Sequence, residues 1–289
     1  MTTGNDPGSL IPVQWAGTNW NQGDMGNGAA TYITDVNGWD DTPALDGNDL
    51  ALALTDGVLP GAKTISQREV TLSGTVAGAR VPVLALARQL AQLASSRVAA
   101  ALVIGVINET GSTYTALTAQ VRADTNALSI AWLSRYGFTW QVTLTAPDPL
   151  LYSSVINAVT LTAPAAATGR VYAKSYGWQY PSQSVSNEAQ LPNQGTAAAP
   201  VIATYTGPLT TPQLSDGVNS ITLKTLAAGE IVTVNTLTLV ATAPGGATRA
   251  SYVQPGSVPM TIPGLSAPSW SLYTTGTGSV KLTWQSAWS

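Results

Sequence analysis

The stretch that decides the fold runs from residue 138 to residue 153 and reads FTWQVTLTAPDPLLYS. Its first part alternates between apolar and polar side chains: Phe138, Thr139, Trp140, Gln141, Val142, Thr143 and Leu144. This two-residue period predicts a half-buried β-strand. The prolines of Ala146-Pro-Asp-Pro149 end the strand, because proline cannot donate to a central sheet. A domain boundary is therefore predicted just after this stretch, near Ser153.

A second alternating run, residues 70–76, lies upstream and is followed by the one convincing helical segment, from Pro82 to about Arg97. Proline suits the first helical position, where its missing N–H is no loss. Apolar residues at spacings of three and four form one stripe along this segment: Val83, Leu86, Leu90 and Leu93. We expect this helix to lie across one face of a sheet.

Residues 154–289 lack helical periodicity and consist of short strand-like runs, among them residues 236–241, separated by Gly, Pro or Asn turns. This pattern is typical of a β-sandwich. Residues 1–153 carry a net charge of -5 and residues 154–289 a net charge of +2. The sequence therefore predicts two domains, residues 31–153 and 154–289.

Residues 1–30 are rich in Gly, Asn and Asp and are predicted to form an extended arm. Trp15 and Trp20 are the candidate docking residues of this arm, because a large aromatic side chain gains most from burial against another surface. If the arm clasps a neighbouring chain, removing residues 1–30 leaves a folded protein that assembles poorly.

The chain has no histidine and no cysteine, and only 9% of its residues are charged. Imidazole bases, thiolate nucleophiles and His/Cys metal ligands are therefore excluded. A surface so poor in charge favours association. These properties indicate a structural subunit that neighbours cover, without a cofactor or a metal.

Carboxylates are the remaining candidates for catalysis, as the acid pair of a glycosidase. They are Asp40, Asp41, Asp46, Asp49 and Asp56. Ordinary turn chemistry explains them better, since their spacing fixes no carboxylate separation. Asp46-Gly-Asn48-Asp49 lacks the order of residues that a calcium loop requires, so a surface turn is again favoured.

Three aromatic residues alternate in the second half of the chain: Tyr176, Trp178 and Tyr180. They would share one face of a strand and are the candidate contacts for a glycan or a protein partner. No run of residues is apolar enough for a membrane span, no signal peptide is expected at the start, and no basic run indicates binding to duplex DNA.

Several motifs resemble the distal tail proteins of long-tailed (siphovirus) phages, the Dit-like minor tail proteins. They are Asp35-Val-Asn-Gly-Trp39, Arg68-Glu-Val-Thr-Leu-Ser-Gly-Thr-Val76, the Leu- and Ala-rich helix after Pro82, residues 138–153, Asn193-Gln-Gly-Thr-Ala-Ala-Ala-Pro-Val201, Gly207-Pro-Leu209, Leu226-Ala-Ala-Gly-Glu230 and Trp284-Gln-Ser-Ala-Trp288. The motifs span residues 30–289, and the resemblance rests on their order and spacing.

The resemblance implies a first domain with the tail-tube fold, an antiparallel β-sandwich or barrel flanked by one α-helix, and a galectin-like β-sandwich as the second domain. It implies a non-enzymatic virion protein, with six copies in a ring at the distal end of the tail. The implied partners are the tail tube, the tail tip or baseplate hub and other minor tail proteins, with DNA passing through the channel. The acidic first domain fits such a channel. The alternative is a carbohydrate-binding module that attaches to the host cell wall.

Overall fold

The computed structural model of the chain describes residues 11–47, 50–51, 58–59, 61–107, 114–163 and 187–289. Contacts within the chain group into two compact units, and the division falls between Ser154 and Val155. Each unit is built around antiparallel sheets, and the prediction of a mainly β protein is confirmed. The described residues include one α-helix.

The first unit has one main sheet and the helix α1 (Arg80–Ala94). Its strands are β1 (Val13–Trp15), β2 (Thr18–Asn19), β3 (Gly23–Asp24), β4 (Ala29–Asn37), β5 (Leu45–Asp46), β6 (Leu50–Ala51), β7 (Val58–Leu59), β8 (Thr64–Ile65), β9 (Arg68–Gly78), β10 (Ala100–Ile107), β11 (Tyr114–Ser134), β12 (Gly137–Ala146) and β13 (Leu151–Ser153). The order in the main sheet is β2-β1-β10-β11-β12-β9-β4-β3, with β13 also paired to β11. The pairs β5–β8 and β6–β7 form two small separate sheets.

The long strand β11 changes its partner half-way. Residues 114–121 pair with β10 and residues 122–134 pair with β12, and the pairing with β12 has register shifts between Ala123 and Leu128 and between Trp132 and Ser134. The sequence predicted two separate strands here, residues 114–123 and 129–133. That prediction is wrong, because an irregular register re-aims an extended backbone without ending it. The strand order is open at both ends in the described residues, so the sheet is not a closed barrel.

The helix packs against β9, β11 and β12. Its buried residues are Val83, Leu86, Ala87 and Leu90. The helix begins two residues before Pro82 and ends at Ala94, three residues short of the predicted end. Proline is tolerated in this first turn, since the first four N–H groups of a helix have no intrahelical partner. Leu93 is half-buried, and Ala87 lies on the buried face.

Residues 11–30 belong to the main sheet and are not an extended arm. Val13 and Trp15 of β1 are buried against β10, where they pair with Ile104 and Leu102. The indole of Trp20 is fully buried, and its ring centroid lies 5.7 Å from that of Trp140 in an edge-to-face arrangement. The two tryptophans therefore pack into the core of their own chain, Trp15 from the inward side of β1 and Trp20 against Trp140.

The second unit contains two antiparallel sheets and one turn of 3₁₀ helix, Ala250–Tyr252. Its strands are β14 (Asn157–Thr162), β15 (Glu188–Gln190), β16 (Ala199–Thr206), β17 (Leu209–Ser215), β18 (Ser220–Thr222), β19 (Ile231–Asn235), β20 (Ala241–Thr242), β21 (Thr261–Ile262), β22 (Ser269–Gly276), β23 (Ser279–Trp284) and β24 (Ala287–Trp288). The larger sheet has the order β14-β23-β16-β19-β20, with β21 on β16, and the smaller sheet has the order β15-β22-β17-β18.

Alternate residues of both sheets form the core of this unit. Val201, Ala203 and Tyr205 of β16 are fully buried, as are Trp270 and Leu272 of β22. This period of two across two sheets is the pattern of a β-sandwich.

Residues 236–240 form a turn between β19 and β20 instead of the predicted strand. Leu239 has a φ of 57°, and its N–H donates to the carbonyl of Asn235. A residue in the left-handed region cannot continue a strand, so the apolar composition of this segment misled the sequence prediction.

Candidate functional site

The candidate site is a surface, the outward side of β4, β9, β12 and the second half of β11. On β9 and β12 one set of side chains is fully buried, including Leu72 and Val142, and the alternate set points outward. The outward residues are Tyr32, Asp35, Asn37, Glu69, Thr71, Ser73, Thr75, Arg122, Ser129, Ala131, Thr139, Gln141 and Thr143. We call this surface the hydroxyl face, after the threonines and serines that dominate it.

The hydroxyl face is nearly free of charge at its centre. The hydroxyl oxygens of Thr71 and Thr143 lie 3.3 Å apart across β9 and β12. Glu69 is the one charged side chain among the outward residues of these two central strands. Arg122 of β11, which lies in register with Thr145 and Glu69, is the one cation among the outward residues, so the surface offers a polyanion a single positive charge for neutralising phosphates.

Both edges of this part of the sheet have stretches without a strand partner among the described residues. The second half of β11, residues 122–134, pairs with β12 on one side and with no described strand on the other. At the opposite edge β3 pairs only with Ala30 and Thr31 of β4, and the Ile33 N–H donates to the side-chain oxygen of Asn21, so the edge from Thr34 to Asn37 has no strand partner among the described residues. Rows of unpaired N–H and C=O groups are templates for pairing with another chain.

The turn between β11 and β12 carries a cluster of exposed apolar side chains. Leu133 is 72% exposed and Tyr136 is 56% exposed. Trp132 is half-exposed, with its ring centroid 5.1 Å from that of Phe138. Large exposed apolar patches usually mark contacts with other proteins, so the tip of this hairpin extends the candidate contact surface.

Two of the acidic residues weighed as catalytic candidates, Asp40 and Asp41, lie next to a buried arginine. Arg68 at the start of β9 is 2% exposed and donates to the carbonyl oxygens of Gly38, Trp39, Asp41 and Pro149. Burial lowers the pKa of Arg68, and the charges of Asp40 and Asp41 oppose that change.

Asp40 and Asp41 therefore lie on a loop whose backbone the guanidinium holds. Asp46 lies on β5, and Asp49 and Asp56 lie outside the described residues. Within the described part of the chain, no three acidic side chains are grouped closely enough to hold a metal ion.

The aromatic candidates Tyr176, Trp178 and Tyr180 lie outside the described residues. Sequence reasoning missed the buried Arg68, and it counted Tyr273 of β22 among the aromatic residues of the second half without singling it out as exposed. The alternation of Ser269, Trp270, Ser271, Leu272 and Tyr273 is a signal that could have placed Tyr273 on the outer face of a strand.

No protein-family model and no curated protein matches the sequence. Among solved structures, the Dit protein of phage SPP1 superposes with a TM-score of 0.63 at 12% sequence identity, and the match covers 96% of this chain and 99% of that chain. The chain has a Dit-like fold. The SPP1 protein is described as a paradigm of the hub adsorption apparatus in phages that infect Gram-positive bacteria.

A chain of the phage P2 baseplate, in its activated conformation with calcium, aligns with a TM-score of 0.46 at 10% identity, over 96% of this chain and 97% of that chain. This second similarity is too low to carry an argument. No helix in the described part of this Dit-like chain is long and apolar enough to cross a membrane.

Proposed function

We propose that the protein is a non-enzymatic structural subunit at the distal end of a phage tail. There it joins the tail tube to the tip or baseplate, and it contacts the tube protein and other minor tail proteins. The observation that carries this proposal is the fold: the similarity to the Dit protein of SPP1 spans 96% of the chain and therefore includes both units. The sparse charge of the sequence supports it, since a surface covered by neighbours needs few charged residues.

In this proposal the copies join side by side into a closed ring, hexameric as the sequence resemblance implies. The open edge of β11 in one copy pairs with the open edge of β4 in the next. Because the two edges differ, the contact is head-to-tail. Such contacts close into a ring when the rotation between neighbouring copies is a whole fraction of a full turn. Few charged side chains guard these edges, although charges are the usual protection against unwanted pairing.

If the ring closes through these edges, the sheets of neighbouring copies join into one continuous sheet. The hydroxyl faces of all copies then lie on the same side of that sheet. We assign that face to the channel through which DNA passes. Its neutral hydroxyl and amide groups support this assignment, because DNA sliding past them displaces no counterions. The sequence analysis supported a DNA channel by the net charge of -5 on residues 1–153. The neutral groups of the hydroxyl face support the channel more directly, because they are the groups that would line it.

The test measures the oligomeric mass of the purified protein by light scattering and images the particles by negative-stain electron microscopy. We expect a ring from the natural sequence. The double variant Ser129→Glu and Ala131→Glu places two carboxylates on the β11 edge, opposite a β4 edge that carries Asp35. We expect this variant to stay folded, because both side chains are exposed, and to remain a monomer.

The matched control carries Ala247→Glu and Thr248→Glu, which add the same charge at exposed positions of the second unit. The control should assemble like the natural protein. A natural protein that stays monomeric at all concentrations would refute the ring. Rings formed by the β11 double variant would refute the assignment of the contact to these edges.

A further inference from the structure

The smaller sheet of the second unit has a polar outer side with one exposed aromatic ring. On β22, Trp270 and Leu272 are fully buried and point inward. The alternate residues of the four strands point outward and include Tyr273, Ser271, Gln213, Ser215, Glu188 and Gln190. We call these six residues the Tyr273 face.

Tyr273 lies on β22, in the row of the sheet next to that of Ser271. Its side chain is 55% exposed, and it pairs directly with Gln213 of β17 across the sheet. The side-chain amide of Gln213 donates to the hydroxyl of Ser220, at 3.0 Å, and is oriented by this bond. An aromatic ring beside an oriented amide and several hydroxyls presents both an apolar platform and directional hydrogen-bonding groups.

The charge on the face is small. Glu188 is the one charged side chain in β15, β17, β18 and β22, and it accepts a hydrogen bond of 2.5 Å from the hydroxyl of Ser269. An anionic ligand therefore meets a carboxylate and no cation on these strands. The chemistry of the face favours a neutral, hydroxyl-rich ligand.

The backbone beside Tyr273 is strained. β17 loses register with β22 between Thr210 and Gln213, and Thr211 within this break has a φ of 38°. A β-branched residue at positive φ is an outlier. Strained backbone and bulges of this kind occur preferentially at ligand-binding sites, where they re-aim side chains.

We propose that the Tyr273 face binds a neutral oligosaccharide, with the Tyr273 ring stacked on a sugar and Gln213, Ser271 and Glu188 bonded to its hydroxyls. A protein partner fits less well, because the core of a protein interface is apolar and Tyr273 is the only large apolar side chain here. The inference is independent of the tail function, since it concerns the outer side of a different sheet.

The test titrates the full-length protein with neutral hexasaccharides of glucose, galactose, mannose and N-acetylglucosamine, and with anionic hexagalacturonate, by calorimetry and NMR. We expect at least one neutral sugar to bind with a Kd of about 1 mM or tighter, and hexagalacturonate to bind more weakly. Tyr273→Ala should weaken binding about tenfold or more, which is the loss of about 1.4 kcal/mol of stacking. Tyr273→Phe retains the ring and should stay within about threefold of the natural protein.

The matched control is Leu237→Ala, which removes a comparably exposed apolar side chain from the turn between β19 and β20 and should leave sugar binding unchanged. Thermal unfolding of each variant checks that the sandwich is intact. The proposal fails if none of the four neutral sugars binds up to about 10 mM, or if Tyr273→Ala binds as the natural protein does. Loss of tail assembly on Tyr273→Ala, without any sugar binding, would assign the face to a protein partner.

Discussion

Arg68 is a charged residue with almost no exposed surface, and its guanidinium binds four carbonyl oxygens from two loops. A buried carbonyl without a donor costs about 1–3 kcal/mol. We therefore expect Arg68→Met to lower the free energy of unfolding by about 3 kcal/mol or more. Urea unfolding followed by tryptophan fluorescence measures this change.

Arg88→Met removes an exposed arginine from α1 and is the control for that experiment. Its unfolding free energy should stay within about 0.5 kcal/mol of the natural protein. An equal, small loss for both variants would show that the loop carbonyls find other donors.

Tyr205 shows the opposite situation, a buried polar atom without a partner. Its side chain is fully buried in the core of the second unit, and its hydroxyl makes no hydrogen bond. Burial also raises the pKa of this phenol, so it stays neutral throughout the ordinary pH range. Tyr205→Phe removes only the unsatisfied group, and we expect unchanged or higher stability, by up to about 1 kcal/mol.

The contrasting variant is Thr236→Val, because the Thr236 hydroxyl donates to the carbonyl of Met260 at 2.7 Å. This variant should lose about 1 kcal/mol in the same unfolding measurement. A clear loss of stability in Tyr205→Phe would mean that the hydroxyl has a partner such as a buried water.

At the scale of the element, the apolar stripe of α1 determines which face of the helix packs against the sheet. Leu90 is fully buried against the sheet, and the neighbouring Ala91 is exposed. Leu90→Asp would bury an unpaired carboxylate, so we expect the protein to express as insoluble or unfolded material. Ala91→Asp adds the same charge in solvent and should give a soluble, folded protein by circular dichroism. A folded Leu90→Asp protein would show that the helix can turn its other face to the sheet.

The helix and the long strands could be predicted from the sequence because their periods run over several turns or residue pairs. The inward faces of β9 and β12 follow directly from the alternation of residues 70–76 and 138–144. β1 to β3 were missed, since two or three residues are too few to show a period. The prediction that a chain without residues 1–30 still folds is withdrawn, because that deletion removes the buried Trp15 and Trp20.

The candidate surfaces were less predictable than the strands that carry them. An open edge depends on which strands pair, and the partner change within β11 is decided by the tertiary structure rather than by the local pattern. The hydroxyl face was visible in Thr139, Gln141 and Thr143, but its extent across four strands required their register.

At the scale of the whole molecule, the chemistry of the hydroxyl face should decide how the assembled protein treats DNA. Gln141 is exposed at the centre of this face. Gln141→Lys adds one cation per copy at the centre of the face, so we expect the assembled variant to bind duplex DNA with an affinity that falls steeply as salt rises. The natural protein should show no such binding. Filter retention of labelled DNA at several salt concentrations measures this.

Ala91→Lys supplies the control, because it adds the same charge on the exposed side of α1. DNA binding by this control equal to that of Gln141→Lys would show that net charge, and not the position on the face, governs retention. If rings of the Gln141→Lys variant do not bind DNA, the assignment of the hydroxyl face to the channel is wrong.

The pairing of β14 with β23 fixes how the second unit responds to tension. Asn157 lies opposite Trp284, and the ladder continues to Thr162 opposite Ser279, so the chain enters and leaves this ladder at the same end. A pull between those two points separates the strands like a zipper, one residue pair after another. It therefore opens the unit at a lower force than a pull along the strands, which would strain all of these bonds at once.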